Sequence, residues 1–161
     1  MGFFMSKFKK RGNRIYAPVA GKAVAITEVP DPAFAEELLG KGIAILPNNG
    51  KIYAPCDATV ISVFDTKHAV CLRADFGAEI LIHVGVETGC MEGNGCTSYV
   101  GNGDKVKKGQ LLIEADLEKI RAAGHSTHTP VIICNVEDYS AIDVVIGKTL
   151  TNDDVVIKVK E

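Results

Sequence analysis

The sequence predicts an all-β fold, an antiparallel β-sandwich or barrel-like domain with one or two very short helices. Three observations lead there. Short apolar runs broken by Gly, Pro, Asn and Asp follow one another from Ile15 onward, and helix-period patterns are scarce. The 161 residues include 16 Gly and no Trp, which suits a chain of tight turns. A motif also repeats at an offset of 37: Ile15-Tyr16-Ala17-Pro18 returns as Ile52-Tyr53-Ala54-Pro55, and Val24 and Ile26 fall on Ile61 and Val63. Each copy enters extended, turns after its proline and continues as an alternating strand. Two duplicated β-motifs packed face to face are expected.

The elements follow in order. Residues 1–13 read as a separate basic segment, with residues 14–161 as one domain. At helical spacing Met1, Phe4, Met5 and Phe8 share a stripe, with Lys7, Lys9, Lys10 and Arg11 around the remainder. Such a segment suits an anionic membrane surface through residues 1–11, and a mobile tail is the alternative. Asp31 is a helix N-cap, Pro32 a first helical residue and Gly40 a stop, so a helix of one or two turns is expected between them. Gly42–Leu46 reads as a strand and Asn48-Asn49-Gly50 as a turn. Gly89–Gly95 reads as a loop, and Gly101–Ile113 as turn, short strand, turn and strand. Asp116 caps a short helix over Leu117–Ala123, ended by Gly124. Strands at Thr129–Cys134, Ile142–Ile146 and Val155–Val159 complete the chain.

Net charge is −2, but the five basic residues Lys7, Lys9, Lys10, Arg11 and Arg14 all precede the first acid, Glu28. Without them, 13 basic face 20 acidic residues, a balance of −7 that argues against nucleic acid as a ligand. Five cysteines with no C-x-x-C pair and no signal-peptide pattern read as free thiols in a reducing cytosol. Cys90 and Cys96 share a Gly-rich loop, where a redox or metal role is a minor alternative. No stretch approaches the ~20 apolar residues of a transmembrane helix.

Chemistry concentrates at Gly77-Ala78-Glu79-Ile80-Leu81-Ile82-His83-Val84-Gly85-Val86-Glu87-Thr88. As a strand, this stretch puts Ile80, Ile82, Val84 and Val86 on one face and Leu81, His83, Gly85 and Glu87 on the other. Fifteen residues before His83, Thr66-Lys67-His68-Ala69 closes the apolar run Val60–Phe64. Taken alone, each histidine also fits a hydrogen-bonded structural role.

Together these residues resemble the glucose-class enzyme IIA component, a phosphocarrier, of the bacterial phosphoenolpyruvate-dependent sugar phosphotransferase system. That family's signature of a glycine, aliphatics and His-x-Gly-x-[acid]-Thr is met at Gly77–Thr88. Its Thr-x-His-Ala is Thr66–Ala69, its Pro-Asp-x-x-Phe-Ala-Glu is Pro30–Glu36, and its Thr-Pro-Val-aliphatic-aliphatic is Thr129–Ile133. The four motifs occur in order along essentially the whole chain. Gly89 departs from a small aliphatic, and Cys96 from an aromatic. His125 and His128 stand where the family has no functional histidine and read as loop residues.

The resemblance implies that His83 accepts a phosphoryl group from phospho-HPr and passes it to a sugar-specific IIB domain of a IIB/IIC permease. His68 would steady the phosphoryl oxygens, with Thr66 orienting it. A phosphoacceptor imidazole must be neutral, with one nitrogen held as N–H, and a backbone carbonyl near Gly85 is the candidate acceptor. Docking is expected on an apolar ring of Phe34, Leu38, Leu39, Phe64 and Leu81, with Asp31 and Glu87 facing a basic partner. No cofactor is required, and zinc at the His68/His83 pair is a side alternative with too few ligands. A cytoplasmic location is implied, with a peripheral position at the inner membrane face left open. A zinc-dependent hydrolase would need a third ligand, and no H-E-x-x-H is present. A swinging-arm carrier would need a lysine-bearing hairpin tip that the Gly103–Gly109 segment lacks. A regulatory binding protein without onward transfer shares the histidine and stays open.

Overall fold

A computed structural model describes residues 13–91 and 94–161. The first seven strands are β1 (Arg14–Tyr16), β2 (Gly21–Ala25), β3 (Lys41–Pro47), β4 (Lys51–Tyr53), β5 (Ala58–Val63), β6 (Ala69–Ala74) and β7 (Glu79–His83). The others are β8 (Cys96–Ser98), β9 (Lys105–Val106), β10 (Leu111–Ala115), β11 (Thr129–Ile133), β12 (Ala141–Val144), β13 (Thr149–Leu150) and β14 (Val155–Lys160). Among the described residues, helix is confined to α1 (Pro32–Ala35), α2 (Leu117–Ala122) and three 3-10 turns. Among the described residues every strand pairing is antiparallel. An eight-stranded sheet runs β13-β2-β3-β11-β7-β6-β5-β9, and two three-stranded sheets run β1-β14-β12 and β4-β10-β8.

The duplicated motif is visible in the hydrogen bonding. The Tyr16 N–H donates to the Pro55 carbonyl at 2.9 Å, and the Tyr53 N–H donates to the Pro18 carbonyl at 2.7 Å. The two copies therefore clasp each other reciprocally, and Ile15 and Ile52 are fully buried in one core.

Period-2 alternation gives the large sheet two different faces. Ile80 and Ile82 of β7 point into the main core with Val70 and Leu72 of β6 and Val131 and Ile133 of β11. Cutting either isoleucine back to alanine would cost about 2–5 kcal/mol. The opposite face carries Leu81, Ile132, Ala44 and Val24, and it is covered by Ile26, Val29 and Phe34. His83 belongs to that second face by its register with Leu81.

Three expectations need correction. The strand ends at His83, because Gly85 (φ +78°) and Glu87 (φ +58°) turn the backbone out of the extended region. Val86 consequently packs with Leu81 in the second cluster, away from the main core. The helix after Asp31 has the expected length of about one turn, but it ends at Ala35, ahead of Glu37 (φ +58°), and not at Gly40. Gly40 does not stop the helix; a Cβ there would lie 2.2 Å from the Ile133 carbonyl, so it admits the neighbouring strand.

Strand β6 and the short strands β8 and β13 lie outside the strands expected from the sequence. Residues 1–12, which carry the expected membrane-binding segment, lie outside the described residues. Asn13 joins the body, since its carbonyl accepts the Val159 N–H at 3.1 Å. Among the described residues no helix is long and apolar enough to cross a membrane.

Candidate functional site

The β6–β7 pairing brings the site together, with His83 ending β7 and His68 in the turn just before β6. Ala69 lies opposite His83 across β6 and β7, and the Val84 N–H donates to the His68 carbonyl at 2.8 Å. Residues fifteen apart in sequence thus become neighbours, with His68 Nε2 and His83 Nε2 3.1 Å apart. Their rings meet nearly edge-to-face, with centroids 4.5 Å apart at 77°.

The hydrogen-bond partners fix the protons. The Gly85 carbonyl, 2.7 Å from His83 Nδ1, can only accept, so Nδ1 carries the hydrogen. Neutral His83 then presents a lone pair at Nε2. His68 must donate to it from Nε2–H, which leaves His68 Nδ1 to accept from the Thr66 hydroxyl beside it. Every polar atom of the chain Thr66–His68–His83–Gly85 is satisfied with both imidazoles neutral.

Burial enforces that state. It pushes the His68 pKa from the ordinary 6.5 down to about 4, with His83 adding to the shift. Burial also lowers the His83 pKa, opposed by the Gly85 carbonyl and then by the negative charge of Asp31. Each ring is propped by a phenylalanine edge. Phe34 meets His83 at 5.1 Å between centroids, and Phe64 meets His68 at 5.5 Å. The Thr88 hydroxyl donates to the Val84 carbonyl at 2.6 Å and closes the turn after His83.

Among the described residues, the non-glycines at positive φ are Glu37, Lys67 and Glu87. All three lie in the segments that carry Phe34, His68 and His83. Strained backbone is thereby concentrated around the pair.

The expected docking ring divides. Leu38 (71% exposed), Leu39 (45%) and Phe64 (40%) are open, and Ile61 joins them at the surface. Phe34 and Leu81 are buried, at 3% and 8% exposure, so they support the face from beneath and offer a partner little surface. The reason is the second layer: residues 26–38 close over Leu81 and turn Phe34 inward. Asp31 caps α1, its Oδ1 accepting the Ala33 N–H at 2.9 Å, and its charge acts on His83. Glu87 is exposed in the turn after Gly85.

The pair supplies two nitrogens only. Among the described residues no group of three His, Cys, Asp or Glu converges on a metal position. Cys96 is half-buried, and burial raises its thiol pKa away from the reactive thiolate form. The Cys90 side chain lies outside the description. Sequence reasoning missed Ser126, whose carbonyl accepts the Val86 N–H at 3.0 Å in the turn after His83. Only the tertiary approach of two loops brings it there.

Comparisons with known proteins bear on the family and the fold. The family described as "phosphoenolpyruvate-dependent sugar phosphotransferase system, EIIA 1" matches residues 13–139. A PTS system glucose-specific EIIA component of Bacillus anthracis is 44% identical over 143 residues, covering 89% of this chain and 87% of that protein. A PTS system glucose-specific EIICBA component of Staphylococcus saprophyticus is 46% identical over 90% of this chain, which spans 21% of that longer protein. The solved structure of glucose permease IIA from Mycoplasma capricolum superposes with a TM-score of 0.84 at 32% identity, covering 89% of this chain and 93% of that one.

Proposed function

Since the chain belongs to the EIIA 1 family of the phosphoenolpyruvate-dependent sugar phosphotransferase system, we propose that it relays a phosphoryl group through Nε2 of His83 during coupled sugar uptake. The donor is phospho-HPr and the acceptor a sugar-specific IIB domain of a IIB/IIC permease. Relatives named EIICBA and EIIBCA support that acceptor, because their names join A with B and C in one chain. The observation that carries the reading is the 3.1 Å approach of the two Nε2 atoms.

The mechanism follows from the proton assignment. The His83 Nε2 lone pair attacks phosphorus in line as the bond to the donor breaks, through a loose, metaphosphate-like transition state. In place of its resting bond to His83, the His68 Nε2–H turns to an oxygen of the arriving phosphoryl group. Positive charge developing on the His83 ring is steadied by the Gly85 carbonyl at Nδ1–H. Thr66 holds the tautomer that makes His68 a donor. No resident metal or cofactor takes part. Onward transfer reverses these steps, with the IIB nucleophile on the far side of phosphorus.

Leu38, Leu39 and Phe64 form the exposed apolar contact surface, with Asp31 and Glu87 opposing a basic partner. The protein acts in the cytoplasm, and residues 1–11 allow a peripheral position on anionic lipid. The 3.1 Å spacing also lies near the ~3.3 Å that separates two ligands on a tetrahedral zinc. An ion there requires a further ligand from a partner.

Incubation with phosphoenolpyruvate, enzyme I and HPr tests the relay. The protein should gain one acid-labile phosphoryl group, and His83→Ala should gain none. Gain at another residue, or metal-dependent hydrolysis without phosphorylation, refutes it. His68→Gln should still accept from HPr but transfer poorly to IIB; equal loss in both half-reactions refutes the division of roles.

A further inference from the structure

Whatever tilts the Gly85 carbonyl also decides how His83 holds its proton. That carbonyl and the Val86 N–H belong to one peptide unit, which is planar and rigid. Its oxygen lies 2.7 Å from His83 Nδ1, and its nitrogen donates to the Ser126 carbonyl at 3.0 Å. Fixing one edge of the plane fixes the other. The bond at N–H also polarises the peptide and makes its oxygen a better acceptor. The fit is close, for a Cβ on Gly85 would sit 3.0 Å from the Ser126 carbonyl oxygen.

Ser126 is held in turn by His128. The Ser126 hydroxyl oxygen accepts the His128 backbone N–H at 3.2 Å and lies 2.5 Å from His128 Nδ1. Two bonds from one hydroxyl close this turn immediately before β11. The Thr129 hydroxyl, donating to the Thr127 carbonyl at 3.0 Å, closes the next one. β11, which follows this turn, pairs directly with β7, so the anchor leads into the strand beside the one that carries His83. A line of contacts runs from the His128 ring to the Ser126 hydroxyl, through the covalent frame of Ser126 to its carbonyl, and by hydrogen bonds through the Gly85–Val86 peptide to His83 Nδ1.

We propose that His128 is a positioning residue for the phosphoacceptor, acting through Ser126 and the Gly85–Val86 peptide on the Nδ1 proton of His83. The inference rests on the relay reading for its kinetic consequence, but its structural part does not. The His128 ring meets neither the phosphoryl group nor the His83 ring in this account. Its effect is to keep His83 in the Nδ1–H tautomer, with Nε2 free for phosphorus.

The test compares wild type with His128→Leu, which removes the ring nitrogen, and His128→Asn, whose side-chain amide can reach the Ser126 hydroxyl. Nitrogen-15 NMR of the imidazoles reads the His83 tautomer and the exchange of its Nδ1 proton. Phosphoryl transfer from phospho-HPr gives the kcat and KM for acceptance. His128→Leu should show faster Nδ1–H exchange and an enlarged Nε2–H fraction, with kcat about tenfold lower and KM unchanged. His128→Asn should restore both readouts. The proposal is overturned if His128→Leu, folded by its melting curve, leaves the tautomer and exchange unchanged. It is equally overturned if Asn fails to rescue a tautomer that Leu has disturbed. Should wild type accept no phosphoryl group at all, the relay reading falls while the NMR comparison still decides the role of His128.

Discussion

Acidification should destabilise the fold through His68, and the size of the effect follows from its burial. The folded protein holds the His68 pKa at about 4, against 6.5 for an ordinary histidine. As pH falls below 6.5 the unfolded chain takes up a proton that the folded chain refuses, so the unfolded state gains. The full stability is present above that value and is lost as pH falls toward the folded pKa. A difference of 2.5 units corresponds to about 3 kcal/mol at the acid end, of which about 2 kcal/mol is already lost near pH 5. For a chain of this length, 2 kcal/mol lowers Tm by about 4–8 °C. The assay is a pair of thermal melts, near pH 7.5 and near pH 5, on wild type and His68→Gln. Glutamine does not titrate in this window, so the wild-type drop should exceed the variant drop by about that interval. The lowered His83 pKa acts in the same direction in both proteins and largely cancels. Parallel drops would mean that His68 protonates at its ordinary pH, and the neutral-donor account of the site would fail.

Two further outcomes are expected. Gly85→Ala combines a left-handed backbone at φ +78° with a Cβ placed 2.5 Å from Thr88 Cγ2. The conformation costs about 1–2 kcal/mol and the overpacking about 1–3 kcal/mol. Urea unfolding should therefore show a loss of about 2–5 kcal/mol; a loss under 1 kcal/mol would show that the turn simply relaxes. Leu38→Asp changes a side chain that is 71% exposed, so stability should stay within about 0.5 kcal/mol. The second-order rate of phosphorylation by phospho-HPr should nevertheless fall, and an unchanged rate would remove Leu38 from the docking surface.

What could be read from the sequence divides along a physical line. The faces of Ile80, Leu81, Ile82 and His83 depend only on strand period, and each lies where alternation put it. The copies at Ile15 and Ile52 were legible as a repeat, though their reciprocal bonding was not, because it is a contact between distant residues. The errors fall where an ordinary residue adopts a left-handed backbone. Nothing in a glutamate announces φ +58°, so the early helix end before Glu37 and the turn at Glu87 were hidden. The burial of Phe34 and Leu81 was hidden for another reason: it requires knowing that residues 26–38 fold over the outer face of the sheet. His68, His83 and Thr66 were recognisable by motif, whereas Ser126 contributes a backbone carbonyl that no residue type signals.

The same line explains why the site is anchored on strand register, with His83 at the end of β7 and His68 in the turn that leads into β6. The two nitrogens need a separation set to a few tenths of an ångström, and their surroundings impose strain at Glu37, Lys67 and Glu87. Each left-handed non-glycine residue costs about 1–2 kcal/mol, which local sequence preference cannot offset. The β6–β7 ladder can, because slipping it by one residue would turn His83 toward the main core and move Ile80 and Ile82 out of it onto the second face, where Leu81 already packs under Ile26, Val29 and Phe34. Taking two isoleucines out of the core would cost about 2–3 kcal/mol each, comparable to the summed strain, and burying a histidine in their place adds to that cost. The hydrophobic register that stabilises the sheet is thus also what holds His68 against His83. Reactive geometry at the ends of these two central strands is a by-product of packing along their length.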